Sequence, residues 1–238
     1  MCSKDVSFWP IPANRPAVMG ILNVTPDSFS DGGTHDDPAR ALARAETMLA
    51  EGADIIDVGP ESTRPGAEPI SAGEQIDRAI PVIAALRSRH DQAWISLDTR
   101  LAEVAEAGLA AGARIINDVS ALRDDAGMAE VIAKNRAGVV LMHMRGTPAN
   151  MQQDPQYTDV IGEVRAFLQE RAEFAGSADI AGERIAIDPG IGFGKTLTHN
   201  LQLLSALDRL AELGYPLVVG VSRKRFIHAL DPQAEAPT

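Results

Sequence analysis

The sequence predicts an α/β protein, a parallel (β/α)8 barrel of which seven strands are encoded, and three observations carry that prediction. Short apolar runs alternate seven times with stretches of helical period, as in parallel strands joined by crossover helices. One unit recurs: LAEGADIIDV at 49–58 returns as LAAGARIINDV at 109–119, with Asn117 standing where Asp57 stood. Every strand also ends in polar residues. An open doubly wound sheet concentrates such residues at one switch point, whereas a barrel collects them in a ring at its C-terminal face.

Taken in order, residues 1–16, with Pro10, Pro12 and Pro16, read as an irregular leader. Ala17–Val24 is the first strand, ending at Asn23, and the loop TPDSFSDGGT leads to a helix that Asp37 caps and Pro38 opens, running to Glu51. Ile55, Ile56 and Val58, interrupted by Asp57, form a buried second strand that opens onto Glu61–Gly66, a loop held by prolines and a glycine. Ser71 and Glu74 have capping-box spacing before a helix through Leu86, in which Pro81 is placed to make a kink. Strand three is Ala93–Asp98, where a period of two sets Ser96 and Asp98 on one face and Ile95 and Leu97 on the other. A helix over Leu101–Ala111, strand four at Arg114–Val119 and a helix over Met128–Lys134 follow. Strand five is Gly138–Met144, its helix covers Thr158–Glu173, and strand six is Arg184–Asp188. After PGIGFGKT come a helix over Asn200–Leu213, strand seven at Leu217–Val221, and SRKRF at the start of another helix.

The totals narrow the function. A chain of 238 residues fits one barrel domain. Its net charge of -11 argues against general affinity for nucleic acid or anionic membrane, so an anionic substrate needs a local basic cluster or a metal ion. The single cysteine, Cys2, excludes an internal disulfide. No signal-peptide core or spanning run is present, and both features fit a cytoplasmic protein.

Asp98, Asn117 and Asp188 end three strands and together offer acceptors to a flat ligand rich in N–H groups; the competing role for the two aspartates is to cap the helices that follow. PGIGFGKT fails the phosphate-loop pattern, because that pattern's first glycine would fall on Pro189. Its glycines instead allow close approach of a ligand, Phe193 can cover a ring face, and Lys195 is expected to be solvated. SRKR sets three cations after a strand, with Lys224 able to turn inward. Asn23, Ser62, Thr63 and Arg64 suit a phosphate group. The five histidines lack zinc spacing; His143 reads as a core histidine that, with Met142 and Met144, can line an apolar wall.

NVTPDSFSDGG at 23–33, ESTRPGA at 61–67, LDTR at 97–100, IINDVSAL at 115–122, MHMRGTP at 142–148, IDPGIGFGKT at 187–196 and VGVSRK at 219–224 resemble, in order, the motifs of dihydropteroate synthases. The resemblance implies a TIM barrel that condenses 6-hydroxymethyl-7,8-dihydropterin pyrophosphate with p-aminobenzoate, uses Mg2+, and is inhibited by sulfonamides. It implies that Asp98, Asn117, Asp188, Lys224, Phe193, Met142 and Gly220 hold the pterin, and that Lys224, Asp98, Asp188 and Asn117 serve catalysis. It also implies that Asn23 contacts pyrophosphate and metal, and that Thr63, Arg64, Pro65, Ser222 and Phe29 form the p-aminobenzoate pocket. Pro60 stands where the family usually has glycine, and Arg145 where it has glutamine. The family pattern continues through a helix and an eighth strand bearing an Arg-x-His pair. A single domain over 1–238 that is incomplete at its C-terminus is therefore expected, which puts the family's usual homodimer in question. The other readings are a corrinoid-type pterin methyltransferase, which lacks ESTRPGA with SRK, and a non-catalytic pterin-binding protein.

Overall fold

A computed structural model describes residues 8–25, 37–62, 69–147, 150–222 and 224–231. Six strands, β1 (Met19–Asn23), β2 (Ile55–Gly59), β3 (Trp94–Asp98), β4 (Ile115–Asp118), β5 (Gly138–Met142) and β6 (Ile185–Asp188), form one parallel sheet in sequential order. Helices α1 (Asp37–Ala50), α2 (Ala72–Arg89), α3 (Ala102–Ala111), α4 (Met128–Lys134) and α5 (Val160–Ser177) return the chain between strands; α6 (Leu197–Leu204), α7 (Leu207–Ala211) and α8 (Arg225–Leu230) follow β6. Since the order never reverses, the sheet has no switch point, and it is the wall of a barrel rather than a doubly wound sheet.

The pleat sorts each strand between two cores. Ile56, Ile95, Leu97, Ile116, Val139 and Leu141 face outward and pack with Ile83, Leu86, Val104 and Ile132 of the helices. Ile55, Ile115, Val140 and Ala186 face inward and pack with Trp9 at the N-terminal end of the strands. The proline-rich leader therefore contributes to the core. Phe8 meets Trp9 and Trp94 edge-to-face, with centroids 5.4 and 5.2 Å apart. A Cβ at Gly138 would lie 2.4 Å from Phe8 Cε1, so the glycine makes room for this aromatic plug.

Several elements differ from expectation. The segment Leu217–Val221 does not form a seventh strand; it makes one bridge, Leu217 to Ile187, with Val218 N donating to Ile187 O. No further described strand lies on its outer side to extend the ladder. Strand five stops at Met142, and the His143 ring lies among Phe167, Tyr157 and Lys195. The helix expected over Asn200–Leu213 begins earlier and divides into α6 and α7, with Ser205 Oγ donating to Gln202 O at the break. The capping box at Ser71 is half made: Ser71 Oγ accepts from Glu74 N, while the Glu74 carboxylate pairs with Arg78 instead. Pro81 lies within α2 on its exposed face, and the helix continues past it to Arg89.

Candidate active site

At the C-terminal ends of the strands the inward positions change from apolar to polar. Asp98 is in register with Asn117, and Asp188 with Met142, so the three proposed acceptors converge from β3, β4 and β6. Neither aspartate caps a helix, which removes the competing role: α3 begins at Leu101 without a side-chain cap, and α6 is capped by Thr196 in a reciprocal box with His199. Asp188 Oδ1 instead accepts from Gly190 N at 2.6 Å, fixing the carboxylate at the mouth of the glycine-rich loop.

Below Asn117 lies Asp57, a residue whose role sequence reasoning did not assign. Asn117 Nδ2 donates to Asp57 Oδ2 at 3.0 Å, so the two positions matched by the repeat point inward and touch. Asp57 Oδ1 and the adjacent Ser96 Oγ are buried side by side, with no hydrogen-bond partner outside this pair. Burial raises the pKa of Asp57, opposed by Ser96 and Asn117. Burial also holds Asp98 well above the usual carboxylate range, reinforced by the charges of Asp57, Asp118 and Glu61 and opposed by Arg100. Such a cluster favours a ligand that brings N–H donors and positive charge.

The other side of the site carries cations. Lys224 Nζ lies 4.2 Å from the centroid of the Phe193 ring, and burial lowers its pKa while Asp188 opposes the shift. Burial raises Asp188 to about 6 against the pull of Gly190 N–H, Lys224 and Lys195. Phe193 joins Met142, Val119, Met144 and Met151 in one apolar cluster beside these charges. Gly190, Gly192 and Gly194 all have positive φ, and Lys224 Cδ would sit 3.2 Å from a Cβ at Gly192. Lys195 is 3 % exposed, which corrects the expectation that it is solvated: the loop folds it under itself, against His143.

Asn23 is in register with Gly59, and a Cβ on that glycine would meet Asn23 Oδ1 at 3.2 Å and Asp98 Oδ2 at 4.0 Å. Gly59 thus leaves open the space beside the Asn23 and Asp98 side chains. Among the described residues no group of three His, Cys, Asp or Glu is arranged to hold a metal. Gly220 and Ser222 are exposed, two to four positions before Lys224. Thr63, Arg64, Pro65 and Phe29 lie outside the described residues. The start of the loop that carries Thr63, Arg64 and Pro65 is anchored: Glu61 takes Arg100 at 3.0 Å and Ile70 N at 3.1 Å, and Arg100 also pairs with Asp124 at 2.6 Å.

The family profile described as "Pterin binding enzyme" matches residues 19–237, which agrees with a barrel wall whose C-terminal ends pair a buried acceptor cluster with an aromatic-and-lysine wall. The dihydropteroate synthase of Neisseria meningitidis serogroup C is 50% identical over 230 residues, covering 94% of this chain and 79% of its own length. That of Escherichia coli strain K12 is 48% identical over 217 residues, covering 91% and 76%. Among solved structures, Xanthomonas albilineans dihydropteroate synthase with 4-aminobenzoic acid superposes with a TM-score of 0.87 at 49% identity, covering 94% of this chain and 79% of its own. The Yersinia pestis enzyme in a sulfonamide drug complex gives 0.85 at 49%, covering 91% and 78%. The chain belongs to the dihydropteroate synthase family, the transferases of folate biosynthesis that are built on TIM barrels.

Proposed function

We propose that the chain condenses 6-hydroxymethyl-7,8-dihydropterin pyrophosphate with p-aminobenzoate to give 7,8-dihydropteroate and pyrophosphate. The observation that carries the reading is the convergence of Asp98, Asn117 and Asp188 on one end of the barrel, opposite Phe193 and Lys224. A related Xanthomonas albilineans enzyme is known in complex with 7,8-dihydropteroate, at 45% identity and a TM-score of 0.83. In this reading the acceptors take the N–H edge of the pterin, Lys224 meets a ring acceptor, and Phe193 and Met142 cover the ring while Gly220 lets it pass close to the backbone. The C–O bond at the pterin methylene breaks, its electron pair leaves with pyrophosphate, and the aniline nitrogen bonds to that carbon and then gives up a proton. The carboxylates favour the positive charge that develops on the pterin, so no nucleophilic side chain is required. Lys224, Asp98, Asp188 and Asn117 are therefore the catalytic set.

Asn23 is assigned to the pyrophosphate end, where its side-chain oxygen beside Gly59 suits Mg2+, which takes one or two protein oxygens and fills the rest of its shell from phosphates and water. When bound, Mg2+ would neutralise charge on the leaving group. Thr63, Arg64, Pro65, Ser222 and Phe29 are assigned to p-aminobenzoate, and sulfonamides would compete there. A cytoplasmic enzyme with small-molecule substrates agrees with the acidic charge and the lone Cys2, and no described helix is long and apolar enough to cross a membrane. The test is a coupled assay for pyrophosphate. Release should require p-aminobenzoate and be suppressed by a sulfonamide; pterin binding without release in either condition would make the chain a binding protein only.

A further inference from the structure

The three consecutive carbonyls of the glycine-rich loop are each held by one side chain. Gly192 O accepts from Gln152 Nε2 at 2.6 Å, Phe193 O from Lys195 Nζ at 2.9 Å, and Gly194 O from Tyr157 Oη at 2.9 Å. Gln152 and Tyr157 reach in from the segment after β5, whereas Lys195 belongs to the loop itself. Its ammonium also donates to His143 Nδ1 at 3.0 Å and to His143 O at 3.3 Å. That makes three donors and three acceptors, so the charged form is saturated, while a neutral amine would leave one acceptor without its proton. His143 is held neutral, with its pKa pushed down to about 2 by burial and then by the Lys195 charge, so its ring accepts at Nδ1.

This clamp is continuous with the pterin acceptors. His143 N donates to Asp188 O at 2.9 Å, and Gly190 N donates to the Asp188 carboxylate. The fit at Gly190 is tight enough that a Cβ would fall 1.9 Å from His143 O, the carbonyl that Lys195 holds from the other side. A shift of His143 or of Phe193 O would therefore move both the Asp188 carboxylate and the aromatic wall.

We propose that Lys195 is a positioning residue for the pterin: its ammonium locks the end of β5 to the loop after β6, setting Asp188 and Phe193 in the geometry that receives the ring. The proposal rests on the reading of Asp188 as a pterin acceptor. The charged groups facing the clamp are Asp188 at the end of β6, Lys224 before α8, and Arg123 and Arg145 beside His143. Burial lowers Lys195 to about 7, Asp188 opposing and Lys224 adding to the shift, so the ammonium is lost as the pH rises through neutrality.

The test compares wild type with Lys195→Met and Asp188→Asn, using calorimetric affinity for 6-hydroxymethylpterin, the KM for p-aminobenzoate and the thermal midpoint. Folded Lys195→Met should bind the pterin about tenfold more weakly, as expected for loss of a charge-assisted bond, and keep the KM for p-aminobenzoate within about twofold. Wild-type affinity should fall above a pH of about 7, and that limb should vanish in Lys195→Met. A limb that survives the substitution belongs to Lys224 and overturns the proposal, as does an equal loss toward both substrates. If Asp188→Asn itself binds pterin normally, the acceptor reading fails and the proposal with it; weakened Asp188→Asn beside a normal Lys195→Met defeats the proposal alone. Should Lys195→Met not fold, His143→Leu removes the clamp's side-chain acceptor and is judged by the same pterin-selective loss.

Discussion

At the N-terminal end of the strands the inner face is closed by Trp9, Ile55, Ile115, Val140 and Ala186, whereas at the C-terminal end the same strands present Asp57, Asp98, Asn117 and Asp188. Only one residue of chain lies between Ile55 and Asp57, or between Ile115 and Asn117. The first end is apolar and packed by aromatic edges, with the Trp9 indole N–H buried there without a partner. At the second, carboxylates have raised pKa values, and Asp57 Oδ1 and Ser96 Oγ have no partner outside their own pair. One end supplies free energy of folding. The other holds groups whose burial opposes folding and which a ligand with N–H donors would satisfy.

The largest effect that can break this comparison is expected at the packed end. Trp9→Ala removes a side chain that is 6% exposed from the plug and should cost about 3–5 kcal/mol of stability, read from denaturant unfolding. Turnover per folded molecule should stay near wild type, since Trp9 touches none of the acceptors. A loss of turnover with an unchanged unfolding midpoint would show that the two ends are coupled.

A smaller effect of the opposite kind is expected at the polar end. Asp98→Asn should weaken pterin binding by about 1.5–3 kcal/mol, because the amide presents a donor where the ligand requires an acceptor. The thermal midpoint should hold or rise, because the substitution removes one of two neighbouring buried carboxylates. A fall comparable to that of Trp9→Ala would mean that Asp98 supports the fold rather than the site.

The polar end was largely legible in the sequence because the strand period fixes which residues share a face. Asp98 and Asn117 had to point inward together once Ile95, Leu97 and Ile116 were assigned to the helices. What escaped depends on contacts between distant segments. Lys195 reads as a surface residue until His143, from another strand end, is folded against it. Phe8 and Trp9 sit in a leader without periodicity, and only the cavity left by Gly138 shows what they fill. The bridge from Glu61 through Arg100 to Asp124 likewise spans three loops. Strand seven failed as a local prediction because its pairing with β6 stops after one bridge, and sequence pattern alone does not show how far a ladder runs.

The smallest effect sharpens the boundary of the polar end. Arg145 stands where the motif resemblance leads one to expect glutamine; its guanidinium lies 4.5 Å from the Tyr157 ring centroid and 3.3 Å from Glu163 Oε2. Both contacts are half-exposed, so Arg145→Gln should cost less than about 1 kcal/mol of stability. The question is whether Tyr157, which holds Gly194 O, depends on that arginine for its place. Its ring also meets the edge of His199 at 4.9 Å and lies 6.1 Å from His143, contacts that the substitution leaves alone. The close approach of Gly194 is to the backbone carbonyl of residue 145, which glutamine supplies equally well. Pterin affinity should therefore be unchanged while the thermal midpoint drops slightly. If affinity falls as well, Tyr157 is set by Arg145, and the polar end extends outward to the surface of α5.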